Sequence, residues 1–511
     1  MKSQKSAINI TVGILAQIII VLLGFVTRKV FIDYLGNDAN GLNNYFTNIV
    51  AMLSLVELGL GNSLLFSLYK PLAEKNHDLI NRLLSVYKKI YYWIIAIIGF
   101  LGIILASFMP TLIGSDSGFS NSYIIAVFSL FILSTMTTYL FTYKRLLLTA
   151  NQDGYYATLA DIIYSIIRAL LQILIIMKTQ NFILFLVVDI FLRLIENYVL
   201  SLFIQKKYAY LKTLKNSRLE PALKETIIDN TKSLAFHRIG TFIMTGLDSI
   251  LINAFYNLGT VSIFSNYTLI SSTLLNLVTQ FSTGISASFG LLLAEGKLKR
   301  LFETYRMANF INFMIVNFSA VTLLALFNPF MQLWLGDKFL FDNSIVFILV
   351  LNFTIASLTT INGSIRGAAG LFKPDKYLHI FYALLKIAFS LLLNQYLGLI
   401  GIFLATTICY LIKDLIVLPI IVYRGIFKKS ARVFYQEFFG YGSVILVSGL
   451  LISLTKQFIY SWSLAPFSAF LCLALMCLII PNLLAISVYH RSQKYQDSKE
   501  LIFSTLLKKK S

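Results

Sequence analysis

Fourteen apolar stretches, each long enough to cross a bilayer as a helix, run through this chain. A crossing helix takes about 20 residues, and the segments between the stretches are short. Of the 511 residues, 57% are hydrophobic and only 13% are charged, which indicates a polytopic helical membrane protein. We therefore predict an all-α integral membrane protein with about 14 transmembrane helices.

The first stretch is longer than the apolar core of a signal peptide and no A-x-A site follows it, so we predict a retained span. The second and eighth exceed a minimal crossing, which predicts tilt or an irregular end. The predicted spans are residues 7–32, 41–67, 90–110, 121–143, 155–178, 181–204, 234–256, 259–293, 307–328, 343–365, 377–396, 398–423, 437–456 and 463–489.

The formal net charge of +20 first suggests a nucleic-acid partner, but the basic residues lie in the segments between apolar stretches. There they set orientation, because cytoplasmic loops carry an excess of Lys and Arg. With the N-terminus inside, every basic cluster falls on the inner side, and the outer segments hold only Lys29, Lys178, Lys338 and Lys456. This predicts cytoplasmic N- and C-termini and no nucleic-acid binding.

An internal repeat divides the spans. Leu72-Ala73-Glu74 after the second span recurs as Leu293-Ala294-Glu295 after the eighth, and Arg145 and Arg366 lie at the same offset of 221 residues. Asp153 with Tyr155 matches Asp375 with Tyr377 at an offset of 222. Both halves start inside, so we predict parallel repeats, a class that commonly encloses a cavity open to alternate sides.

The repeat predicts four segments along the chain. Residues 1–204 form an N-terminal six-helix bundle, and residues 205–231 form a basic cytoplasmic linker. Residues 232–424 form a C-terminal six-helix bundle. Residues 425–511 add two transmembrane helices and a basic cytoplasmic tail.

Charged residues at membrane depth are costly and usually face a partner or a transport path. Asp189, Arg193 and Glu196 are spaced along one helical face, so we favour structural pairing among them. Lys413 and Asp414 are adjacent and point apart, which predicts other partners for both. The charged residues at membrane depth are Arg28, Arg168, Arg193, Arg238, Lys386, Lys413, Glu57, Asp161, Asp189, Glu196, Asp248 and Asp414.

Four of the bases are candidate contacts for an anionic substrate: Arg28, Arg168, Arg238 and Lys386. Arg28 and Arg238 lie on equivalent helices of the two halves, and so do Arg168 and Lys386, so the four would converge on one cavity. Bidentate Arg contacts suit a diphosphate. Snorkelling or an interhelical ion pair is the alternative for each of them.

Two carboxylates are candidates for ion coupling. Glu57 precedes two glycines in the segment VELGLGNS, where the glycines could loosen the helix or permit close packing. Asp248 lies in the middle of the seventh span. Several Asn and Tyr near outer span ends could touch sugar hydroxyls, although cap or interfacial roles are commoner: Asn43, Asn44, Tyr45, Asn48, Asn266 and Tyr267.

The sequence gives no sign of an enzyme or a cofactor. The three Cys and four His have no ligand-like spacing, which predicts no metal site. We find no P-loop, HExxH, GxSxG or CxxC in a supporting context. A membrane polysaccharide polymerase would need a large outer loop, and the predicted outer loops are short.

Residues 35–91 resemble the Wzx-type polysaccharide flippases of the MATE-like superfamily, which also holds lipid II flippases and multidrug exporters. The likeness rests on Leu35-Gly36, Gly41-Leu42, the run from Glu57 to Gly61 and the run from Leu68 to Glu74. The last run is typical of the Gram-positive capsule and exopolysaccharide branch. The number of spans, the repeat of six plus six and the C-terminal extension agree with this family over nearly the whole length of the chain.

The resemblance implies a flippase that moves undecaprenyl-diphosphate-linked oligosaccharide units across the bacterial cytoplasmic membrane by alternating access, for capsule or exopolysaccharide synthesis. The embedded carboxylates are expected to take up H⁺ or Na⁺ as a coupling ion, and a polysaccharide polymerase and a chain-length regulator are the expected protein partners. The family offers no fixed residue set to carry over, so the candidate residues rest on the charge argument. A cation-coupled multidrug exporter of the same fold is the closest alternative, although cation export would favour acids over Arg28 and Arg168 in the N-terminal half.

Overall fold

The computed structural model describes residues 2–57, 60–114, 117–212, 242, 246–371 and 378–507. Within these ranges the regular structure is helical throughout and contains no strand, which confirms the predicted all-α class. The chain divides into two compact units, residues 1–265 and 266–511. The four-segment division expected from the repeat stays a prediction.

The first unit contains nine helices among the described residues, together with the first turns of a tenth. A single 3-10 turn, Ser54–Glu57, interrupts the second predicted span. The helices are α1 (Lys2–Leu35), α2 (Asn37–Leu53), α3 (Leu60–Ala73), α4 (His77–Ile113), α5 (Asn121–Tyr139), α6 (Thr142–Ala150), α7 (Tyr155–Thr179), α8 (Phe182–Lys207), α9 (Gly246–Phe255) and α10 (Leu258–Ala294).

The second unit continues with α10 and nine further described helices. Two π-helical turns, Leu411–Val417 and Tyr423–Phe427, flank the short helix α16. The helices are α11 (Leu298–Leu335), α12 (Asn343–Leu358), α13 (Thr360–Ala368), α14 (Leu378–Leu397), α15 (Leu399–Tyr410), α16 (Leu418–Val422), α17 (Arg432–Ser461), α18 (Pro466–Tyr489) and α19 (Gln493–Leu507).

Eleven of the described helical segments are long and apolar enough to cross a membrane. The three other predicted spans coincide with helices of different character. The second span is divided into α2 and α3, and the sixth is α8, which carries Asp189, Arg193 and Glu196 in its middle. The seventh coincides in part with α9, and its first residues lie outside the described ranges. The chain is therefore a multi-pass membrane protein.

The fourth and tenth spans, which the predicted repeat would make equivalent, are both interrupted near their C-terminal ends. α5 ends at Tyr139 and α6 begins at Thr142, whereas α12 ends at Leu358 and α13 begins at Thr360. The sequence predicted two continuous helices here. In the first unit the break places α6 against α3, α4 and α8.

In the first unit, α7 packs along both α1 and α8, and α5 packs along α4 and α8. Aromatic side chains fill part of this core: Phe31 of α1 meets Phe182 edge to face with the ring centroids 5.1 Å apart, and Phe46 meets Phe128 at 5.0 Å. Such pairs add to the apolar burial. The packing fixes α7 beside α8, where most of the unit's embedded charges lie.

In the second unit, α11 is the central helix and contacts α12, α17, α18 and α19. The two added helices α17 and α18 thus pack directly on it. A charged contact fixes α19 as well: Glu437 accepts hydrogen bonds from Arg306 at 2.7 Å and from Lys494 at 3.0 Å. The C-terminal extension is therefore an integral part of this unit.

Candidate substrate and coupling sites

Arg28 on α1 belongs to a closed ring of hydrogen bonds in the first unit. Its guanidinium donates to Ser265 Oγ and to Asn44 Oδ1, each at 3.1 Å. The Asn44 amide donates to Asn40 Oδ1 at 3.2 Å, and the Asn40 amide donates to Ser262 Oγ at 2.7 Å. Ser265 Oγ in turn donates to the Ser262 carbonyl at 2.8 Å. The guanidinium therefore connects α1 with α2 and with the start of α10.

Close backbone contact brings these two helix starts together. A Cβ atom on Gly41 would overlap the carbonyl oxygen of Leu258, so only glycine permits this approach. The Asn37 amide also donates to the Gly259 carbonyl at 3.2 Å. In the sequence, Gly41 is part of the family resemblance, and no pattern there indicates this close contact.

Two of these contacts join residues at the offset of the internal repeat. Asn37 with Gly259 and Asn40 with Ser262 are both 222 positions apart, so equivalent positions of the two repeats touch each other. Asn44-Tyr45 and Asn266-Tyr267 recur at the same offset. That recurrence is the sequence signal that could have located the ring.

Glu57 is the last residue of the 3-10 turn that separates α2 from α3. The Tyr91 hydroxyl on α4 donates to Glu57 Oε1 at 3.2 Å, and Tyr91 is itself buried. A Cβ on Gly61 would come within 3.1 Å of the same carboxylate oxygen. The carboxylate therefore lies at a helix interruption, with one neutral donor and little room on the side of α3.

Asp248, the second coupling candidate, is buried on α9. Its neighbour Ser249 accepts a hydrogen bond from Asn48 of α2 at 3.1 Å, and Asn253 donates to the Leu112 carbonyl at 3.0 Å. These bonds join α9 to α2 and to the end of α4. The carboxylate therefore belongs to the same polar region of the first unit as the asparagines of α2.

Arg168, a third candidate anion contact, forms an ion pair with an acid of the neighbouring helix. Its Nη1 lies 3.1 Å from Asp189 Oδ1, which also accepts from the Tyr164 hydroxyl at 2.7 Å. Ser134 donates to Asp189 Oδ2 at 3.2 Å. Of the three residues expected to pair along α8, Asp189 is thus engaged across helices instead. Helical spacing indicates only partners on the same helix.

The remaining charges of this region form a second ion-pair group. Arg193 lies 2.8 Å from Glu196 Oε2, as the spacing on α8 predicted, and 3.6 Å from Asp161. Arg145 of α6 bridges Asp161 at 2.5 Å and Glu196 at 3.3 Å. In the sequence, Arg145 stands out only as a residue that recurs in the repeat. Its cross-helix role depends on the break that separates α6 from α5.

Together these contacts define a charge cluster of three arginines and three carboxylates on α6, α7 and α8: Arg145, Arg168, Arg193, Asp161, Asp189 and Glu196. The cluster carries no net formal charge, so its members largely neutralise one another. Removing one residue of such an ion pair destabilises the protein by more than the pair's net contribution to stability, because the remaining charge is left without a partner. These contacts favour a structural role for the cluster.

Lys386 of α14 is fully buried, with 0% of its surface exposed. The buried face of this helix is mostly polar and also holds His379, Tyr382 and Ser390, whereas Leu384 on another face is exposed. A membrane helix with a polar inner face and an apolar outer face lines a polar interior. The eleventh span therefore carries its base inside the second unit.

The second unit also places polar groups on α15 and the π-helical turn that follows it. Thr407 donates to Asn352 Oδ1 of α12 at 2.7 Å, and Asp414 lies buried on the turn. Lys413 Nζ is 3.4 Å from Asp414 Oδ1, so these adjacent residues approach each other, contrary to the expectation that they point apart. A π turn alters the angular spacing of side chains and is frequent at functional sites.

Arg238 lies outside the described residues, so its predicted contact with substrate stays a prediction. Among the described residues, no group of three or more His, Cys, Asp and Glu side chains could hold a metal ion. Just after the C-terminal end of α8, beyond the predicted span, burial raises the pKa of the Tyr208 hydroxyl. That hydroxyl donates to Asp153 Oδ2 at 2.8 Å, and Lys207 pairs with the same oxygen at 3.2 Å.

By sequence, the chain matches no protein-family model and no curated protein. By structure, it is similar to the lipid II flippase MurJ in an inward closed conformation, with a TM-score of 0.69 and 16% identity. That similarity covers 94% of this chain and 99% of the MurJ chain.

The chain is also similar to multidrug resistance transporters of the MATE family. An inward-facing structure matches with a TM-score of 0.61 and 16% identity, covering 78% of this chain and 92% of that chain. An outward-facing structure matches with a TM-score of 0.58 and 15% identity, over 81% and 93%. At these identities the likeness shows a shared fold, that of transporters of the MOP superfamily.

Proposed function

We propose that this protein is a flippase that moves undecaprenyl-diphosphate-linked oligosaccharide units from the inner to the outer leaflet of the bacterial cytoplasmic membrane. The observation that carries the proposal is the likeness to a lipid II flippase over 94% of the chain. The run from Leu68 to Glu74, which resembles the exopolysaccharide branch, supports an oligosaccharide unit as cargo. The cargo serves capsule or exopolysaccharide synthesis.

Transport would proceed by alternating access, with the lipid tail remaining in the membrane. Arg28 is suited to contact the diphosphate, because its guanidinium donates to a hydroxyl and to an amide oxygen, and a phosphate oxygen can take the place of either acceptor. Lys386 on the polar face of α14 and Arg238 are the further candidates. Arg168 would first have to leave Asp189, so we rank it last.

Coupling to H⁺ or Na⁺ would use Glu57 and Asp248. Glu57 accepts a hydrogen bond from a neutral tyrosine, so protonation of the carboxylate would change this contact without breaking an ion pair. Its place at the end of the 3-10 turn would let such a change act on the junction of α2 and α3. A polysaccharide polymerase and a chain-length regulator would receive the flipped unit. Both termini would be cytoplasmic.

Cells that lack the gene and carry a plasmid copy test the anion contacts. We expect Arg28→Ala, Arg238→Ala and Lys386→Ala each to reduce surface polysaccharide at normal protein levels, and Arg168→Ala to reduce it least. Lys178→Ala, at the exposed outer end of α7, is the matched control. Unchanged polysaccharide export in all four variants would contradict the proposed diphosphate site.

The second candidate function is a cation-coupled multidrug exporter, which the likeness to MATE transporters favours. The two functions differ in what accumulates when the protein is lost. A flippase defect leaves lipid-linked oligosaccharide in the inner leaflet, whereas an exporter defect raises sensitivity to cationic drugs. Measuring both in the same deletion strain separates the two functions.

A further inference from the structure

An apolar groove of about 400 Å³ lies between α7 and α8 in the first unit. Leu159, Ile163 and Ile167 form one wall, and Ile195 and Val199 form the other. Glu196 of the charge cluster is also part of the lining, but nearly all of the surface is hydrocarbon. A groove of this composition favours an apolar ligand with little hydrogen bonding.

The groove is open along its length. Ile163 and Val199 keep 59% and 57% of their surfaces exposed. In a chain that crosses the membrane, exposed aliphatic side chains at this depth contact lipid and not water. A concave surface between two spanning helices therefore meets hydrocarbon chains.

The length of the groove corresponds to one leaflet. The wall from Tyr156 to Ile167 rises about 17 Å along α7, close to half of the roughly 30 Å hydrocarbon core. The predicted orientation puts Tyr156 at the inner surface. The groove thus runs from the inner surface to about the middle of the bilayer.

Basic residues follow the inner end of the groove. Lys207 is engaged, since its Nζ lies 3.2 Å from Asp153 and 3.9 Å from the centre of the Tyr156 ring. Lys206 is exposed at the end of α8, three residues after the lining residue Phe203. Basic groups at the cytoplasmic end of spanning helices attract anionic lipid head groups.

We propose that this groove holds one acyl chain of an anionic phospholipid of the inner leaflet, with the head group beside Lys206. The acyl chain matches the one-leaflet length of the groove, whereas most of an undecaprenyl chain would lie beyond it. A zwitterionic lipid would gain less from Lys206. The test of this site needs no transport measurement.

Fluorescence quenching by brominated lipids tests the site in the full-length protein. Phe203→Trp, in a background in which Trp93, Trp334 and Trp462 are changed to Phe, places a single fluorophore at the inner end of the groove. In bilayers of brominated phosphatidylglycerol mixed with phosphatidylcholine, we expect the anionic lipid to bind there about fivefold better than phosphatidylcholine. Lys206→Gln should bring that ratio near one, and Lys178→Gln should leave it unchanged.

Trp93 provides the matched control, because it is exposed on α4 near Lys88 and Lys89 but is not part of the groove. A protein that retains only Trp93 reports the effect of basic residues without a groove. An equal preference at both fluorophores, or a preference that survives Lys206→Gln, would overturn the proposal. Stronger binding of a brominated polyprenyl phosphate than of phosphatidylglycerol would also overturn it.

Discussion

The second and eighth spans occupy equivalent places in the repeat, yet only one of them is interrupted. The second runs from Asn37 to Ala73 and the eighth from Leu258 to Ala294, so both ends are shifted by the same 221 positions. α10 is one continuous helix of 37 residues. The second span changes to a 3-10 turn at Ser54–Glu57 and resumes as a helix at Leu60.

The residues at the interruption explain the difference. At an offset of 221 or 222, Val278 or Thr279 of α10 corresponds to Glu57, and at neither offset does a glycine of α10 correspond to Gly59 or Gly61. The fold thus accommodates a continuous helix at this place. The interruption is a local property of the segment VELGLG, and it places a carboxylate where α10 has an uncharged side chain.

The largest expected effect concerns the start of the second span. Gly41→Ala puts a methyl group onto the Leu258 carbonyl, and a backbone atom cannot move aside as a side chain can. We expect little folded protein, or a fall of at least 10 °C in the unfolding temperature of the purified protein in detergent.

Gly284→Ala in α10 is the control for this change, because a Cβ there meets nothing within 4 Å. Alanine in a helix interior is favoured over glycine by about 0.5–1 kcal/mol, so the unfolding temperature should hold or rise. Equal losses in both variants would contradict the close contact at Gly41.

Glu57→Gln tests whether the carboxylate at the interruption couples transport to an ion. We expect at least a tenfold loss of gradient-driven flipping in proteoliposomes, with the unfolding temperature nearly unchanged. Glu74→Gln, one residue after the same span, is the control, because Glu74 forms an exposed ion pair with Lys70 at 3.9 Å. If gradient-driven transport is normal in Glu57→Gln, the carboxylate does not couple transport to an ion, and the interruption serves helix packing alone.

The hydrogen bond between Asn40 and Ser262 connects the starts of the two compared spans. Asn40→Ala should lower the free energy of unfolding by about 1–3 kcal/mol, because the bond is buried and short. Ser262→Ala alone should cost less, and the double variant should cost less than the sum of both. Strict additivity in denaturation would show that the two side chains do not interact.

The smallest effect concerns the donor to Glu57. Tyr91→Phe removes one neutral hydrogen bond of 3.2 Å and keeps the buried ring. We expect a loss of about 0.5–1.5 kcal/mol in the free energy of unfolding, and a two- to threefold change in gradient-driven transport. Tyr92→Phe, on an exposed neighbour, should change neither quantity.

The length of the apolar stretches predicted most of this fold, since each predicted span coincides with described helices, in part for the seventh, and α19 lies after the last predicted span. The break between α5 and α6 has no signal in the sequence, because the stretch from 121 to 143 contains no glycine, proline or charged residue. The break between α12 and α13 at Thr359 likewise has no glycine, proline or charged residue beside it. The interruption at Glu57 does have a signal in the sequence, because glycines such as those of VELGLG can loosen a helix.

The contacts of the candidate site were harder to predict. The pair of Arg193 with Glu196 follows from spacing on one helix. The pair of Arg168 with Asp189 depends on how α7 and α8 are rotated against each other, and no single-helix pattern contains that information. The roles proposed for five residues stay predictions: Arg28, Arg238, Lys386, Glu57 and Asp248. A charge at membrane depth is unfavourable in free energy, but the charge alone does not show what the residue does.

The contacts between Asn37 and Gly259 and between Asn40 and Ser262 have an evolutionary consequence. When two identical copies meet across a twofold axis, a residue on that axis contacts the same residue of the other copy. Every mutation at that position therefore changes both residues of the contact. A duplicated and fused chain keeps such self-contacts as pairs at the repeat offset, and each side can then mutate alone. Asparagine opposite serine, and asparagine opposite glycine, are pairings that an ancestral homodimer could not have encoded and that a fused chain can.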